Sequence, residues 1–589
     1  MRSLSSVVAL VLVFTGGFAV AQSGRDVVLR YPALHHPVVD AGGMVVTQSR
    51  LASEVGAAIL ADGGNAVDAA VAVGFALAVT LPRAGNIGGG GFMLVYLAEE
   101  DRVIAIDYRE AAPALADRDM FLDASGEPDK NKSRFTRHAA GVPGTVAGMH
   151  HALDRYGTMR WRDVIRPAIQ LAARGIVVSP DLAASLERSR ARLSAHPETV
   201  RVFFKPGGGA YIAGEILRQR DLAWSLGEIA KRGPEAFYEG RVAERILADM
   251  RANDGPFTAA DLAGYRVVER EPVRGNYRGL DVISMPPPSS GGVHVIQMLN
   301  VLENFPVAKY APASASTIHV MTEAMRVAYA DRSKYLGDPD FFDVPIDWLT
   351  SKDYAAVIAS TIDLDAARKS SDVSPGTKIR SESPDTTHFS VMDSAGNAVA
   401  NTYTLNFSFG SGITLTGTGI LLNNEMDDFS AKPGVPNAFG LLGGEANAIE
   451  PHKRPLSSMT PTMVFKDGKP YIVTGSPGGS RIITTVLQQL INVIDFDMNA
   501  ADAVSAPRFH HQWFPDKLFH ERGFSADTLK ILSELGHSLS PTPFSMGSLQ
   551  TIIWRDGSFY GAADPRRPDA AAVGTATIEC EASRAACGF

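Results

Sequence analysis

Cysteine is almost missing from this chain. Only Cys580 and Cys587 occur in 589 residues, both in the last ten positions. Two cysteines build neither a disulfide scaffold nor a four-cysteine zinc site. Basic charge is not in excess either. Lys and Arg number 56 against 64 Asp and Glu, a net charge of −8, so the basic stripe of a nucleic-acid binder is lacking. Beyond the N-terminus there is no long apolar run. Residues 69–81 are apolar but fall short of the ~20 residues of a membrane span, and they read as a buried helix. G-x-S-x-G, S-x-x-K, H-E-x-x-H and C-x-x-C do not occur, which removes the common serine-hydrolase, zincin and thiol-redox schemes.

What is present is an ordinary globular composition, 45% hydrophobic and 20% charged. It is enough for a large core, and the length alone allows about four domain-sized units. Arg2, an apolar stretch to Phe18 and the exit Ala19-Val20-Ala21 have the form of a cleaved secretory signal. Residues 1–21 are therefore expected to be removed, and the protein to be periplasmic or secreted. An oxidising compartment permits Cys580 and Cys587 to pair.

Periodicity predicts helices over 49–61, 66–79, 293–302 and 318–329, and mostly helix over 150–250. It predicts paired strands over 92–97 and 103–108. Residues 370–385 hold only two aliphatic side chains, Val373 and Ile379, so an exposed, mobile loop is expected there. Strong β alternation follows at once. Thr387, Phe389 and Val391 alternate with His388, Ser390 and Met392, and 398–405 returns as the partner strand. The adjacent His510 and His511 should point to opposite sides of a strand, which disfavours a shared metal.

The junction Asp385-Thr386-Thr387 carries a chemical possibility. A threonine that begins a chain has its own free α-amine as base beside its hydroxyl. That amine has a reference pKa of ~8, suited to proton transfer near neutral pH. To create such a terminus, the hydroxyl must first attack the preceding carbonyl and cut the chain. By itself the junction is weak, because a Thr-Thr pair opening a strand is ordinary β composition.

Longer blocks sharpen it. Thr386-Thr387-His388-Phe389-Ser390-Val391, Asn401-Thr402-Tyr403-Thr404-Leu405-Asn406 and Leu421-Leu422-Asn423-Asn424-Glu425-Met426-Asp427-Asp428-Phe429 resemble the γ-glutamyltranspeptidase family. So do Lys453-Arg454-Pro455-Leu456-Ser457-Ser458-Met459 and Gly475-Ser476-Pro477-Gly478-Gly479-Ser480-Arg481. Upstream, Gly88-Gly89-Gly90-Gly91-Phe92, Asp107-Tyr108-Arg109-Glu110 and Gly141-Val142-Pro143-Gly144 do as well. The likeness runs from about residue 40 to 570, and the tail 575–589 lies outside it.

The resemblance implies an α+β, four-layer αββα sandwich of the N-terminal-nucleophile hydrolases, with two antiparallel sheets between helices. It implies self-cleavage between Asp385 and Thr386 into a large piece, 22–385, and a small piece, 386–589, that share one core as a heterodimer. It implies γ-glutamyl transfer from glutathione and related amides, through a Thr386 acyl-enzyme, to water, amino acids or peptides. No metal or organic cofactor is called for.

Residue by residue, Thr386 matches the nucleophile and amine base, and Thr404 a hydroxyl that orients it. Gly478 and Gly479 match the oxyanion hole, where glycine lets backbone N–H groups approach closely. Arg109 matches the grip on the donor's α-carboxylate, which a guanidinium can hold through two parallel bonds. Ser457 and Ser458 match hydroxyl donors to the same group. Asn406, Glu425 and Asp428 match the holders of the α-ammonium; some relatives have Gln in place of Glu425. Residues 433–444 match a lid, with Phe439 where many bacterial relatives have Tyr. Two alternatives stand beside this reading: a cephalosporin (glutaryl) acylase on the same fold, and a non-catalytic exported binding protein. A glutaryl donor lacks the α-ammonium, so the retained Asn406, Glu425 and Asp428 favour γ-glutamyl.

Overall fold

The computed structural model describes residues 33–374, 386–432, 434–435, 437–438 and 440–576. The proposed signal segment, Asp385, Phe439, Cys580 and Cys587 lie outside the described residues. The fold is built on two seven-stranded sheets, each antiparallel throughout. The first runs Val38–Asp40, Ser558–Ala563, Gln550–Arg555, Lys469–Thr474, Thr462–Lys466, Leu280–Ser284, Val273–Tyr277. The second runs Ala571–Gly574, Gly43–Thr47, Thr386–Asp393, Ala398–Thr404, Gly90–Leu97, Arg102–Tyr108, Val268–Arg270.

The strand Thr386–Asp393 shows how the layers arise. Its side chains alternate between two faces, as the strand period requires. Phe389 and Val391 join the apolar cluster of the helix Ala66–Thr80, while Met392 joins the cluster between the sheets. Ser390 reaches across the sandwich and donates to the Gln550 carbonyl at 2.9 Å. Outside the second sheet, the helices Arg50–Ala61 and Ala66–Thr80 form one outer layer. The second of these is buried on nearly all sides and begins with an Asn65–Asp68 capping box. Gly291–Leu302 covers the other sheet and packs against Arg481–Ile494 and Ala315–Tyr335. These are the four layers of an αββα sandwich.

Helix and strand bounds differ from the sequence expectation by a few residues. The largest difference is the helix Ala315–Tyr335, which extends both ways past 318–329. A second difference has a physical cause. The polar stretch expected to be exposed from 370 begins with a turn, Ser370–Asp372, in which Ser371 and Asp372 are exposed but Ser370 is buried. Ser370 N–H donates to Asp516 at 2.9 Å, its hydroxyl takes a bond from Arg326, and its carbonyl takes one from Trp513 Nε1 at 2.9 Å. Hydrogen bonding from distant residues holds Ser370 inside, and the neighbouring Val373 joins an apolar cluster. His510 bonds Thr484 and Gln512, whereas His511 bonds Asp516.

Strands from before and after 385/386 lie side by side in both sheets. In the second sheet, Thr386–Asp393 and Ala398–Thr404 lie between Gly43–Thr47 and Gly90–Leu97. A chain cut before Thr386 should therefore yield pieces that co-elute on native size-exclusion chromatography and part only in denaturant. Separate elution in native buffer would contradict this interleaving.

Candidate active site

Thr386 is the first residue of its strand and only 6% exposed. It pairs with Thr404, the last residue of the neighbouring strand. Directly paired residues share a face, and the two hydroxyls stand 3.3 Å apart. Thr404 Oγ1 also accepts the Asn406 N–H at 2.8 Å. Thr387 points to the opposite face, where its hydroxyl is buried without a partner among the described residues.

Several distant segments converge on Thr386. One cavity is lined by Thr386, Thr404, Asn406, Arg109, Glu425, Asp428, Ser457, Ser458 and Gly479. Arg332, Leu441, Met459 and Ile482 complete its wall. Arg109 follows the end of the strand Arg102–Tyr108 and is fully buried. Its N–H is held by Asp107 at 3.0 Å and its carbonyl by the Tyr265 hydroxyl at 2.8 Å. Asp107 is in turn paired with Arg454 and Arg270.

The Arg109 guanidinium bonds Glu425 directly, Asp428 at 2.6 Å and the Pro455 carbonyl at 3.2 Å. Glu110 lies 3.6 Å away, its carboxyl beside the backbone of Gly90. Arg109 is thus a buried counter-ion to three carboxyls, not a surface pair with Glu110 or Asp107.

Glu425 and Asp428 sit on one short helical turn, Glu425–Asp428. Asn423 fixes that turn. Its amide donates to the carbonyls of Gly88 and Gly141, and its oxygen accepts from Glu425 N–H at 3.0 Å and Gly141 N–H at 2.9 Å. Asn406 adopts a left-handed backbone, φ 74°, which asparagine tolerates better than most residues. Its side chain donates to the Asn424 carbonyl at 2.9 Å.

Gly478 and Gly479 form the turn before the helix Arg481–Ile494, with φ of 136° and 56°. Both angles are costly for other residues. Gly479 lines the cavity and Gly478 adjoins it in sequence. Neither N–H donates to another of the described residues. They lie at a helix N-terminus, whose partial positive charge favours an anion. In the 433–444 segment, Gly434 N–H bonds the Gly443 carbonyl at 3.1 Å, and Leu441 reaches the cavity.

The electrostatics follow from burial. Desolvation raises the pKa of Glu425 well above its ordinary value, that of Glu110 to about 7, and that of Asp428 as well; Arg109 opposes the rise in each. The same carboxyls hold Arg109 protonated more firmly still.

Arg332 was not singled out by sequence. A signal did exist. On a helix it falls four or seven residues from Ala328 and Met325, so it is a charge on an apolar face.

The model of the family described as "Gamma-glutamyltranspeptidase" matches residues 52–574. The chain is 55% identical over 535 residues to the "Glutathione hydrolase proenzyme" of Escherichia coli K12, covering 91% of this chain and 92% of that one. It is 46% identical over 554 residues to the protein of the same name from Pseudomonas sp. strain A14, covering 92% and 96%. Among solved structures, a cephalosporin acylase from Bacillus halodurans superposes with a TM-score of 0.81 at 28% identity, covering 92% and 98%.

The raised carboxyl values carry a sign. Where a carboxyl's pKa is higher folded than unfolded, the folded state binds more protons, so stability falls as pH rises above the group's ordinary value, a fall that for Glu110 runs to about pH 7. Glu425→Gln replaces one of these groups with a neutral side chain of similar shape. Its melting temperature relative to wild type should climb as pH rises above the ordinary carboxyl range, by the equivalent of up to about 1.4 kcal/mol per pH unit for one proton. A flat or falling difference would contradict the raised values.

Proposed function

The chain belongs to the γ-glutamyltranspeptidase family, and on that premise we propose that it is a γ-glutamyltransferase and glutathione hydrolase whose Thr386 becomes both nucleophile and base. The observation that carries this reading is the pairing of Arg109 with Glu425 and Asp428 in the cavity that contains Thr386. A γ-glutamyl donor presents an α-carboxylate and an α-ammonium on one carbon. It can enter such a cluster by exchange. Its ammonium takes over Glu425 and Asp428, and its carboxylate takes over the freed Arg109. Each buried charge keeps a partner throughout, which avoids the several kcal/mol cost of leaving one unpaired.

Maturation comes first. The Thr386 hydroxyl attacks the Asp385 carbonyl carbon, and water hydrolyses the resulting ester. The peptide C–N bond breaks as that ester forms, which frees the α-amine of Thr386, and the hydrolysis leaves Asp385 as a carboxylate and restores the hydroxyl. In turnover that amine takes the proton from Oγ1 as Oγ1 attacks the donor's γ-carbonyl. The oxyanion forms against the N–H groups of Gly478 and Gly479. The protonated amine then passes its proton to the departing amine, leaving the γ-glutamyl ester on Thr386. Water, or the amino group of an amino acid or peptide, attacks that ester in a second, equivalent step.

The two pieces of one precursor form the working heterodimer, with Arg109 and Arg332 from the larger and Thr386, Thr404, Asn406, Glu425, Asp428, Ser457, Ser458 and Gly479 from the smaller. The N-terminal pattern supports periplasmic or secreted placement. Among the described residues no helix is long and apolar enough to cross a membrane.

Similarity to a cephalosporin acylase keeps one competitor in view, and the carboxylates at 425 and 428 discriminate. γ-Glutamyl-p-nitroanilide and glutaryl-p-nitroanilide differ only in the α-ammonium. The first should show the higher kcat/KM by about 100-fold or more, because the second leaves the carboxylates without their cation. Thr386→Ala should lose both activities. Equal turnover of the two donors, or preference for glutaryl, would favour an acylase.

A further inference from the structure

We propose that Arg332 is a positioning residue for donor recognition, fixing the Ser458 hydroxyl so that its proton is offered to the donor's α-carboxylate. This rests on the γ-glutamyl reading of the site. Arg332 lies on the helix Ala315–Tyr335, is 5% exposed, and lines the same cavity as Thr386 and Arg109. Its Nε donates to Ser290 Oγ at 2.9 Å and its Nη2 to Ser458 Oγ at 3.2 Å. Among the described residues no carboxylate lies within ion-pair distance of it. Among the described residues its side-chain hydrogen bonds go to hydroxyls, with the Asp428 charge acting on it from farther off, at the edge of a cavity read as receiving an anion.

The direction of these bonds decides what the serines can do. A guanidinium only donates, and a hydroxyl has a single proton with two acceptor positions. Ser458 Oγ must accept from Arg332, so its own proton points elsewhere. Ser290 also accepts from Arg332, and its hydroxyl donates to the Ser457 carbonyl at 2.8 Å. The Ser290 N–H donates to the same carbonyl at 2.9 Å. Ser457 Oγ accepts the Met459 N–H at 3.1 Å, so its proton too remains free for a ligand. One guanidinium thereby fixes the backbone at 457 through Ser290 and the hydroxyl at 458 directly. Burial lowers the pKa of Arg332 only to about 10, so it stays charged at neutral pH.

The test is a double-mutant cycle on the matured protein with γ-glutamyl-p-nitroanilide. Arg332→Met should raise KM about tenfold with a much smaller change in kcat, as loss of a charge-assisted contact to a bound anion implies. In a Ser458→Ala background the same substitution should change KM by less than about twofold, because the hydroxyl it orients is gone. An unchanged KM in Arg332→Met, or the same factor in both backgrounds, would overturn the role. If Arg332→Met does not mature into two bands, Ser290→Ala removes one of the guanidinium's anchors and enters the same cycle with Ser458→Ala, with the same two outcomes. A wild type inert on this donor would overturn the reading of the site together with the role. A wild type that turns over, with Arg332 uncoupled from Ser458, would overturn the role alone.

Discussion

The strand that begins at Thr386 is tied along its whole length to Ala398–Thr404, and from Ser390 onward also to Gly43–Thr47. This pairing is the constraint on which the site depends. It fixes Thr386 opposite Thr404 and turns its hydroxyl toward the cavity. Neighbouring strands share the constraint. A side chain on Gly90, which pairs with Thr404, would strike the Tyr108 carbonyl, so the end of this sheet is packed backbone to backbone. A nucleophile placed there needs no rearrangement to meet a substrate. Preorganisation of this kind is where much catalytic power originates.

The second element is the ion cluster. Arg109, Glu425 and Asp428 come from segments more than 300 residues apart and are buried together. As a device for stability alone, such a cluster gains little, since desolvation offsets much of the attraction. As a receptor for a zwitterion it is well suited. Every internal ion pair can be replaced by one to the ligand, and the charges are already desolvated and oriented. Burial raises the carboxyl pKa values, and the crowding of three carboxyls around one guanidinium adds to the rise.

Much of this was legible in the sequence, unevenly. Amphipathic and strand periods place the main helices and the strands around 386–405, because burial on one face repeats at a fixed spacing. The site is different. Its members sit at 109, 386–406, 425–428, 457–458 and 478–479, and no local period links them. Only long blocks resembling a known family bring them together on the page. Asp107 and Asn423 escape notice as scaffolding, since their work is to bond distant backbone. Arg332 escapes because it is one of five charged residues on a long helix. Ser370 alone of its turn is misjudged, because its burial depends on Arg326, Asp516 and Trp513, which composition cannot connect to it.

The account stands on Thr386 being both the new chain terminus and the atom that carries the acyl group. Mass spectrometry of the purified protein during turnover of a γ-glutamyl donor tests both together. The smaller piece should begin Thr386-Thr387-His388, and during turnover a fraction of it should gain the mass of one γ-glutamyl group on its first residue. An uncut chain that still hydrolyses the donor, or an acyl group found on any other residue, would contradict the account.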